Sequence, residues 1–481
     1  MPENARVSVL ACERTGIERV RLRSRAWPVL LILVVATGFA LSLLLSTESY
    51  DDAYIAYRYA EHWAGGIGLR WNPEDPPVYG ASSLLHCLLL SAGKLVGLEP
   101  RTTSIGIQTL SHACMSVLVL LFVAPPVGRW AGLCAGILTA LSLPNVAQGR
   151  GLEIELYTAL TVLAMLLVVK GRPFAAGVVS GLAVMTRLDG MVLLAAVLAS
   201  WMCDEKRWSR AARSIGGAAI PVGIWLIGTM VYFGSPLPQS MLAKLASSYP
   251  PPFRIYGLFD HWAGQPIIAT CLPFVLVGVG SSVFRKERIV VLWLVLYLCA
   301  YRFSGMPCYG WYYTPPMIGV YALAFLGAGH LLRLTRDAQQ QRHVRFGIIL
   351  SALALLGMAA KGAAGPVRAT WANRDPRPSA HLAAGQWLKE NAERTDRILA
   401  FEVGKIGYVS GLQVIDMFGL VSPEILPHLV AGGWTEVIRR TPFDYAFLHI
   451  EHNGLPSDQE FREVWVSEDG QYHIVVRSDG M

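Results

Sequence analysis

The chain has 481 residues, 53% of them hydrophobic and only 16% charged, with a mean hydropathy of +0.42. That balance excludes an ordinary soluble enzyme and describes a polytopic α-helical membrane protein. The net charge of +7 sits mostly on arginines in short loops between apolar runs, a pattern that orients helices in a membrane rather than one that binds nucleic acid.

Residues 1–26 carry six arginines and read as a cytoplasmic tail. Residues 27–46 form a first span; no small-residue cleavage site follows it, so it is a retained helix rather than a signal peptide. It delivers the stretch Tyr50-Asp51-Asp52-Ala53-Tyr54-Ile55-Ala56-Tyr57-Arg58 to the far side. Adjacent acids at a bilayer exit need water, a cation or a reaction. Helical spacing puts Asp51, Ile55, Arg58 and His62 on one face and Asp52, Ala56, Tyr59 and Trp63 on the next. Two readings stand side by side: Asp51 caps this helix with Asp52 favouring its positive end, or the pair does chemistry.

Residues 81–98 are apolar enough to count as a span. Counting them would put every later basic cluster, from Lys170/Arg172 to Arg342/Arg345, on the outside. Laid along the outer interface, with His86 and Lys94 near water, they leave all those clusters inside. The remaining spans fall at about 104–124, 130–147, 155–170, 174–186, 189–203, 214–232, 264–283, 289–303, 311–332 and 345–361, about eleven with the first. The acids Asp51, Asp52, Glu61, Glu153, Asp189 and Asp260 then share the outer side, and an outward-facing active site is expected.

Residues 362–481 change character: an amphipathic helix at SAHLAAGQWLKENAERTD precedes short strand-like runs at RILAFEV, GYVSG, LQVIDMFG, YAFLHI, VWVSE and YHIVVR. This is a small extracytoplasmic α/β domain, expected to cover the membrane domain (27–361) or bind an acceptor. No nucleotide-binding glycine loop occurs. The eight cysteines form no CxxC or Cys/His cluster, so neither a disulfide framework nor a zinc site is expected.

Several segments together resemble one family. DDAYIAYRYAEHWAGGIGLRWNPEDPPVYGASS is similar to the first extracytoplasmic loop of bacterial GT-C glycosyltransferases, above all the branch of the mycobacterial terminal arabinofuranosyltransferase. GRGLEIELY, VMTRLDG, YFGSPLPQSMLAKL and EVGKIGYVSGLQVIDMFGLVSPE resemble later turns and the C-terminal domain of that branch, in the same order. The aminoarabinose transferase of lipid A resembles the layout more distantly. Leu188, Ile154, His62 and the Tyr79-Gly80-Ala81-Ser82 run depart from the family pattern; the last bears on the donor sugar.

The resemblance implies transfer of a sugar, arabinofuranose by the nearest branch, from a polyprenyl-phosphate donor to an acceptor hydroxyl at the outer face of a bacterial inner membrane. The acceptor would be an envelope glycan or a surface protein such as pilin, and nucleic acid plays no part. A carboxylate desolvated at the membrane edge suits a general base: Asp51 is the first candidate, and Asp52 would share the site, orient Asp51 or hold a divalent cation. Arg58, Lys244 and Arg187 are the cations for the lipid phosphate. Glu153, Asp189, Tyr54 and Trp311 complete the candidates, each with a plainer reading: a helix-start acid, a local ion pair to Arg187, packing, and an interfacial aromatic belt. Nucleotide binding is not needed, and a divalent cation at the acids is the one cofactor left open. A lipid-linked substrate transporter or flippase, or an envelope assembly protein, is the alternative; the first would need broken helices and a repeated topology, and the second would not need the paired acids.

Overall fold

A computed structural model describes residues 26–44, 49–142, 149–246, 266–304, 306, 308–334, 338–372, 379–449 and 460–478. The arginine-rich tail and Asp260 lie outside the described residues.

The apolar runs fold as helices, the one open structure that satisfies every backbone group without water. In chain order they are α1 (Ala26–Leu44), α2 (Asp51–Ala64), α3 (Leu84–Leu95), α4 (Pro100–Val127), α5 (Arg129–Ala140), α6 (Ile154–Val169), α7 (Pro173–Thr186) and α8 (Gly190–Met202). Then come α9 (Arg207–Phe233), α10 (Gln239–Ala246), α11 (Pro266–Ser282), α12 (Arg288–Ser304), a 3₁₀ turn (Gly310–Tyr313), α13 (Thr314–Leu334) and α14 (Ala338–Ala372). A helix stands at each segment expected to span. Among the described residues, five helical stretches are long and apolar enough to cross a membrane: Trp27–Leu44, Pro100–Val127, Arg207–Phe233, Gly310–Leu334 and Gln339–Gly362. Others, such as α6, α7 and α8, are shorter apolar helices. Trp201, Trp293, Tyr297 and Phe122 pack at the centre of the helical body, all nearly inaccessible.

The stretch at 81–98 yields only the 12-residue α3. At about 1.5 Å per residue it reaches roughly 18 Å, against a hydrocarbon core of about 30 Å. Its His86, Cys87 and Leu90 are buried in protein, as suits a helix lying against the body.

The C-terminal unit opens with α15 (Ala380–Asn391), β1 (Arg397–Ala400), α16 (Gly404–Ser410) and β2 (Gln413–Asp416). It continues with α17 (Leu426–Arg440), β3 (Tyr445–His449), β4 (Phe461–Val466) and β5 (Tyr472–Arg477). The sheet order is β2-β1-β3-β5-β4, parallel on either side of β1 and antiparallel from β3 onward. One expectation fails here: GYVSG is not a strand but the end of α16, which stops at Gly411 in the left-handed region (φ 69°). Its β-forming residues are overruled by tertiary contact, because the first turn of α16 docks on Asp51 (below). α17 was not anticipated at all. The expected domain break at 362 falls inside α14.

The C-terminal unit shares a hydrophobic core with the first loop: Ile55, Tyr59, Leu69 and Trp71 pack with Ile398, Ile406, Val414 and Phe447. That core fixes the unit over α2, where the site lies.

Candidate active site

The two acids at the start of α2 face different neighbours. Both oxygens of Asp51 accept backbone N–H groups of α16, Oδ2 from Gly404 and Oδ1 from Lys405, each at 2.8 Å. Position 404 must be glycine, since a Cβ there would collide with the Asp51 carbonyl. Asp51 therefore caps a helix, as its plainer reading had it, but the helix lies some 350 residues away rather than being its own. Asp52, on the next face, is open to a cavity. Surrounding protein pushes its pKa up to about 6; Lys244 pulls it back down, and Asp51 adds to the rise.

Arg58 is buried beneath the C-terminal unit at 2% exposure. Nε donates to Trp71 O (2.8 Å), Nη2 to Leu412 O (2.7 Å) and Asn72 Oδ1 (3.2 Å), and Nη1 to Gly407 O. Its guanidinium also lies over the Trp71 ring at 4.6 Å. Arg58 lines none of the three cavities around the site, and its guanidinium is spent on the loop after α2 and on the C-terminal unit. Tyr54 is likewise buried, against Tyr57 and Tyr408.

The other candidates converge. Arg187, from the turn between α7 and α8, donates Nη1 to Glu153 Oε1 (2.8 Å) and Nε to Asp189 Oδ1 (3.1 Å). Its guanidinium stacks on Tyr312 at 4.6 Å, and the Tyr301 hydroxyl donates to Asp189 Oδ2 (2.8 Å). Two turns distant in sequence thus meet in one cluster. The turn bearing Glu153 depends on Gly151, whose φ of 82° places it where other residues are strained. Gly151 N donates to Gln108 Oε1 and its carbonyl accepts from the Ser104 hydroxyl.

Three cavities join around these groups. The largest, about 470 Å³, lies between α2 and the C-terminal unit and is lined by Asp51, Asp52, Lys244, Trp311, His381 and Glu402 among others. A second, of about 250 Å³, is largely apolar, with Leu188, Val192, Met241 and Tyr301 beside Arg187 and Lys244. A third, about 90 Å³, shares Asp52, Lys244 and Trp311 with the first and Arg187, Ser240 and Lys244 with the second. Lys244 lines all three.

Sequence reasoning missed the wall supplied by the C-terminal unit. Glu402 pairs with His381, which holds its carboxyl below the usual range. Phe401 and Phe418 meet at a tilt, ring centroids 4.8 Å apart, and both line the largest cavity, which the stacked Tyr309 and Trp311 also line. Asp416 shapes this wall: its carboxylate accepts from Phe418, Leu420 and Val421 N–H groups, and burial still pushes its pKa to about 7. The only available signal was the match of EVGKIGYVSGLQVIDMFGLVSPE to a family segment; no local pattern pairs it with Asp51.

Among the described residues no group of three or more His, Cys, Asp or Glu is placed to hold a metal. Asp52 and Glu153 are the carboxylates at the third cavity, and Glu153 is engaged by Arg187. This donor set does not fit a protein-built metal cage.

A family described as a domain of unknown function (DUF8728) matches residues 370–477. Curated proteins gave no sequence match. Among solved structures, ArnT from Cupriavidus metallidurans in the apo state superposes with a TM-score of 0.64 at 14% identity, covering 94% of this chain and 97% of that one. The same protein bound to undecaprenyl phosphate gives 0.58 at 14% identity, with 94% and 98% covered. The oligosaccharyltransferase AglB from Archaeoglobus fulgidus, in complex with an inhibitory peptide and a dolichol-phosphate, gives 0.58 at 13% identity, with 95% and 75% covered. These neighbours are GT-C glycosyltransferases. Over nearly its whole length, the chain has the GT-C glycosyltransferase fold.

Proposed function

We propose that the chain is a polyprenyl-phosphate-dependent glycosyltransferase with Asp52 as its general base. The observation that carries this reading is that an accessible carboxylate, Asp52, and Lys244 line one cavity while Lys244 also lines the largely apolar cavity beside it. The apolar cavity suits the first units of a lipid chain, and Lys244, with Arg187 beside it, suits the phosphate at its head. The structural neighbour bound to undecaprenyl phosphate supports that choice of donor.

In the proposed step the acceptor hydroxyl, in the largest cavity, gives its proton to Asp52. Its oxygen bonds to the anomeric carbon as the bond from that carbon to the phosphate oxygen breaks. The electron pair leaves on the lipid phosphate, held by Lys244. Arg187 already serves Glu153 and Asp189, so its contribution is a shaped, partly neutralised one. Asp51 and Arg58 hold the C-terminal unit in place. A pKa of about 6 leaves Asp52 mostly ionised at neutral pH while keeping it a better base than a fully solvated carboxylate.

The reading extends to about eleven spans in a bacterial inner membrane, the N-terminus cytoplasmic and a membrane domain (27–361) carrying an external domain (362–481). The donor sugar is arabinofuranose by the motif resemblance, and the acceptor is an envelope glycan or surface protein. The test is transfer from undecaprenyl-phosphate-linked sugars by the purified protein in liposomes. Label moving from the lipid to a water-soluble or surface acceptor supports the reading. Movement of intact donor across the bilayer without transfer would overturn it.

A further inference from the structure

The smallest of the three cavities is lined by two polar side chains that the catalytic reading leaves unused. Ser83 and His86, at the start of α3, both line it and are 4% and 1% exposed. Neither Ser83 Oγ nor His86 Nδ1 has a hydrogen-bond partner among the described residues. Two buried orphans on the lining of one small cavity are costly unless something supplies their partners.

The hydrogen on His86 can be placed. Ser104 Oγ donates to Gly151 O at 2.9 Å, so its 3.4 Å contact with His86 Nε2 has the imidazole donating. Nδ1 is then a bare acceptor. Burial lowers the pKa of this histidine, against an opposing pull from Glu153, which keeps the ring neutral. A serine hydroxyl can donate or accept. A neutral acceptor beside a donor–acceptor is the complement of vicinal hydroxyl groups.

Charge narrows the class further. Lys244 and Arg187 border the cavity, and its Glu153 is already paired with Arg187. An ammonium group would meet two cations and no unshared acid but Asp52. The size, about 90 Å³ opening toward Asp52 and Lys244, suits part of a single small ring.

We propose that Ser83 and His86 read the hydroxyl groups of the donor's sugar, and that this sugar is neutral and carries no amino group at the positions they contact. The proposal rests on the transferase reading above. It assigns specificity to the start of α3, directly after the Tyr79-Gly80-Ala81-Ser82 run in which this sequence departs from the family it resembles.

The test measures binding to the full chain in nanodiscs of three probes: undecaprenyl phosphate, undecaprenyl-phosphate arabinofuranose and undecaprenyl-phosphate 4-amino-4-deoxyarabinose. The neutral-sugar lipid should bind tighter than the bare lipid phosphate. His86→Ala and Ser83→Ala should each remove about two- to tenfold of that advantage, the scale of one hydrogen bond, without weakening undecaprenyl phosphate. His86→Asn, which keeps an acceptor near Nδ1, should recover most of the loss, which a packing role would not predict. The amino-sugar lipid should gain nothing over the bare lipid. The proposal is overturned if both alanine variants keep the full sugar advantage, or if the amino-sugar lipid binds best. Failure of undecaprenyl phosphate itself to bind would instead sink the transferase reading beneath it.

Discussion

Arg58→Ala separates what the helical spacing of α2 suggests from what the fold does with it. The substitution strips donors from three buried backbone carbonyls, those of Trp71, Gly407 and Leu412, and from Asn72 Oδ1. Each buried acceptor left unpaired costs about 1–3 kcal/mol. Gly407 O keeps the Gly411 N–H and Asn72 Oδ1 the Val414 N–H, so the carbonyls of Trp71 and Leu412 are the ones left bare. Even at the low end they amount to roughly 2 kcal/mol, before the packing over Trp71 is counted. Arg58→Lys keeps a charge but cannot serve the fork of acceptors and should recover little. Burial pushes the Arg58 pKa down to about 10, so the group stays charged at neutral pH and the clasp does not titrate there. The assay is thermal unfolding in detergent together with limited proteolysis: the variant should unfold earlier and release a fragment beginning near the end of α14. Wild-type stability and cleavage with a selective loss of donor-phosphate affinity would refute the reasoning and return Arg58 to the phosphate.

Three further outcomes follow from the same geometry. Asp51→Asn keeps one acceptor for the α16 amides but turns an N–H₂ toward the other, so it should loosen the C-terminal unit by about 1–3 kcal/mol and lower turnover only in proportion, as thermal shift and initial rates would reveal. Lys244→Ala should weaken the lipid-phosphate donor by about 1.5–3 kcal/mol, the scale of a charge-assisted hydrogen bond; an unchanged donor Michaelis constant would mean that the phosphate is held elsewhere. Because a base works only when ionised and Asp52 is raised to about 6, turnover should rise with pH through about 6 and level off above it; a profile still flat down to pH 5 would point to another base.

The helices were legible because their signal is local and strong: long apolar runs separated by basic turns put a helix at every expected span, although α9 and α14 run well beyond the expected bounds and the short α10 was not expected. The parity of basic loops kept residues 81–98 out of the span count, and they form the 12-residue α3. The meeting of Glu153, Arg187 and Asp189 was half legible, since the Arg187–Asp189 pair is local while Glu153 comes from another turn. The roles of Asp51 and Arg58 were not legible. Helical spacing shows that they share a face, but their partners are backbone amides and carbonyls between Gly404 and Leu412, which no side-chain pattern announces. Both faces reach the largest cavity, Asp51 and Ile55 from one and Asp52 from the other, and Asp52 is the more exposed acid there. GYVSG misled for a related reason: its composition favours a strand, whereas the docked Asp51 and the left-handed Gly411 make it a helix end.

The most direct test compares turnover of Asp52→Asn and Asp51→Asn, each normalised to folded protein, with an undecaprenyl-phosphate-linked sugar donor at saturation. Losing a positioned base costs about 10²–10⁴-fold, so Asp52→Asn should fall by at least a hundredfold while remaining as stable as the wild type, and Asp51→Asn should keep most of its rate once corrected for loss of stability. Near-normal turnover by Asp52→Asn, with abolished turnover in a fully folded Asp51→Asn, would contradict the account and make Asp51 the base.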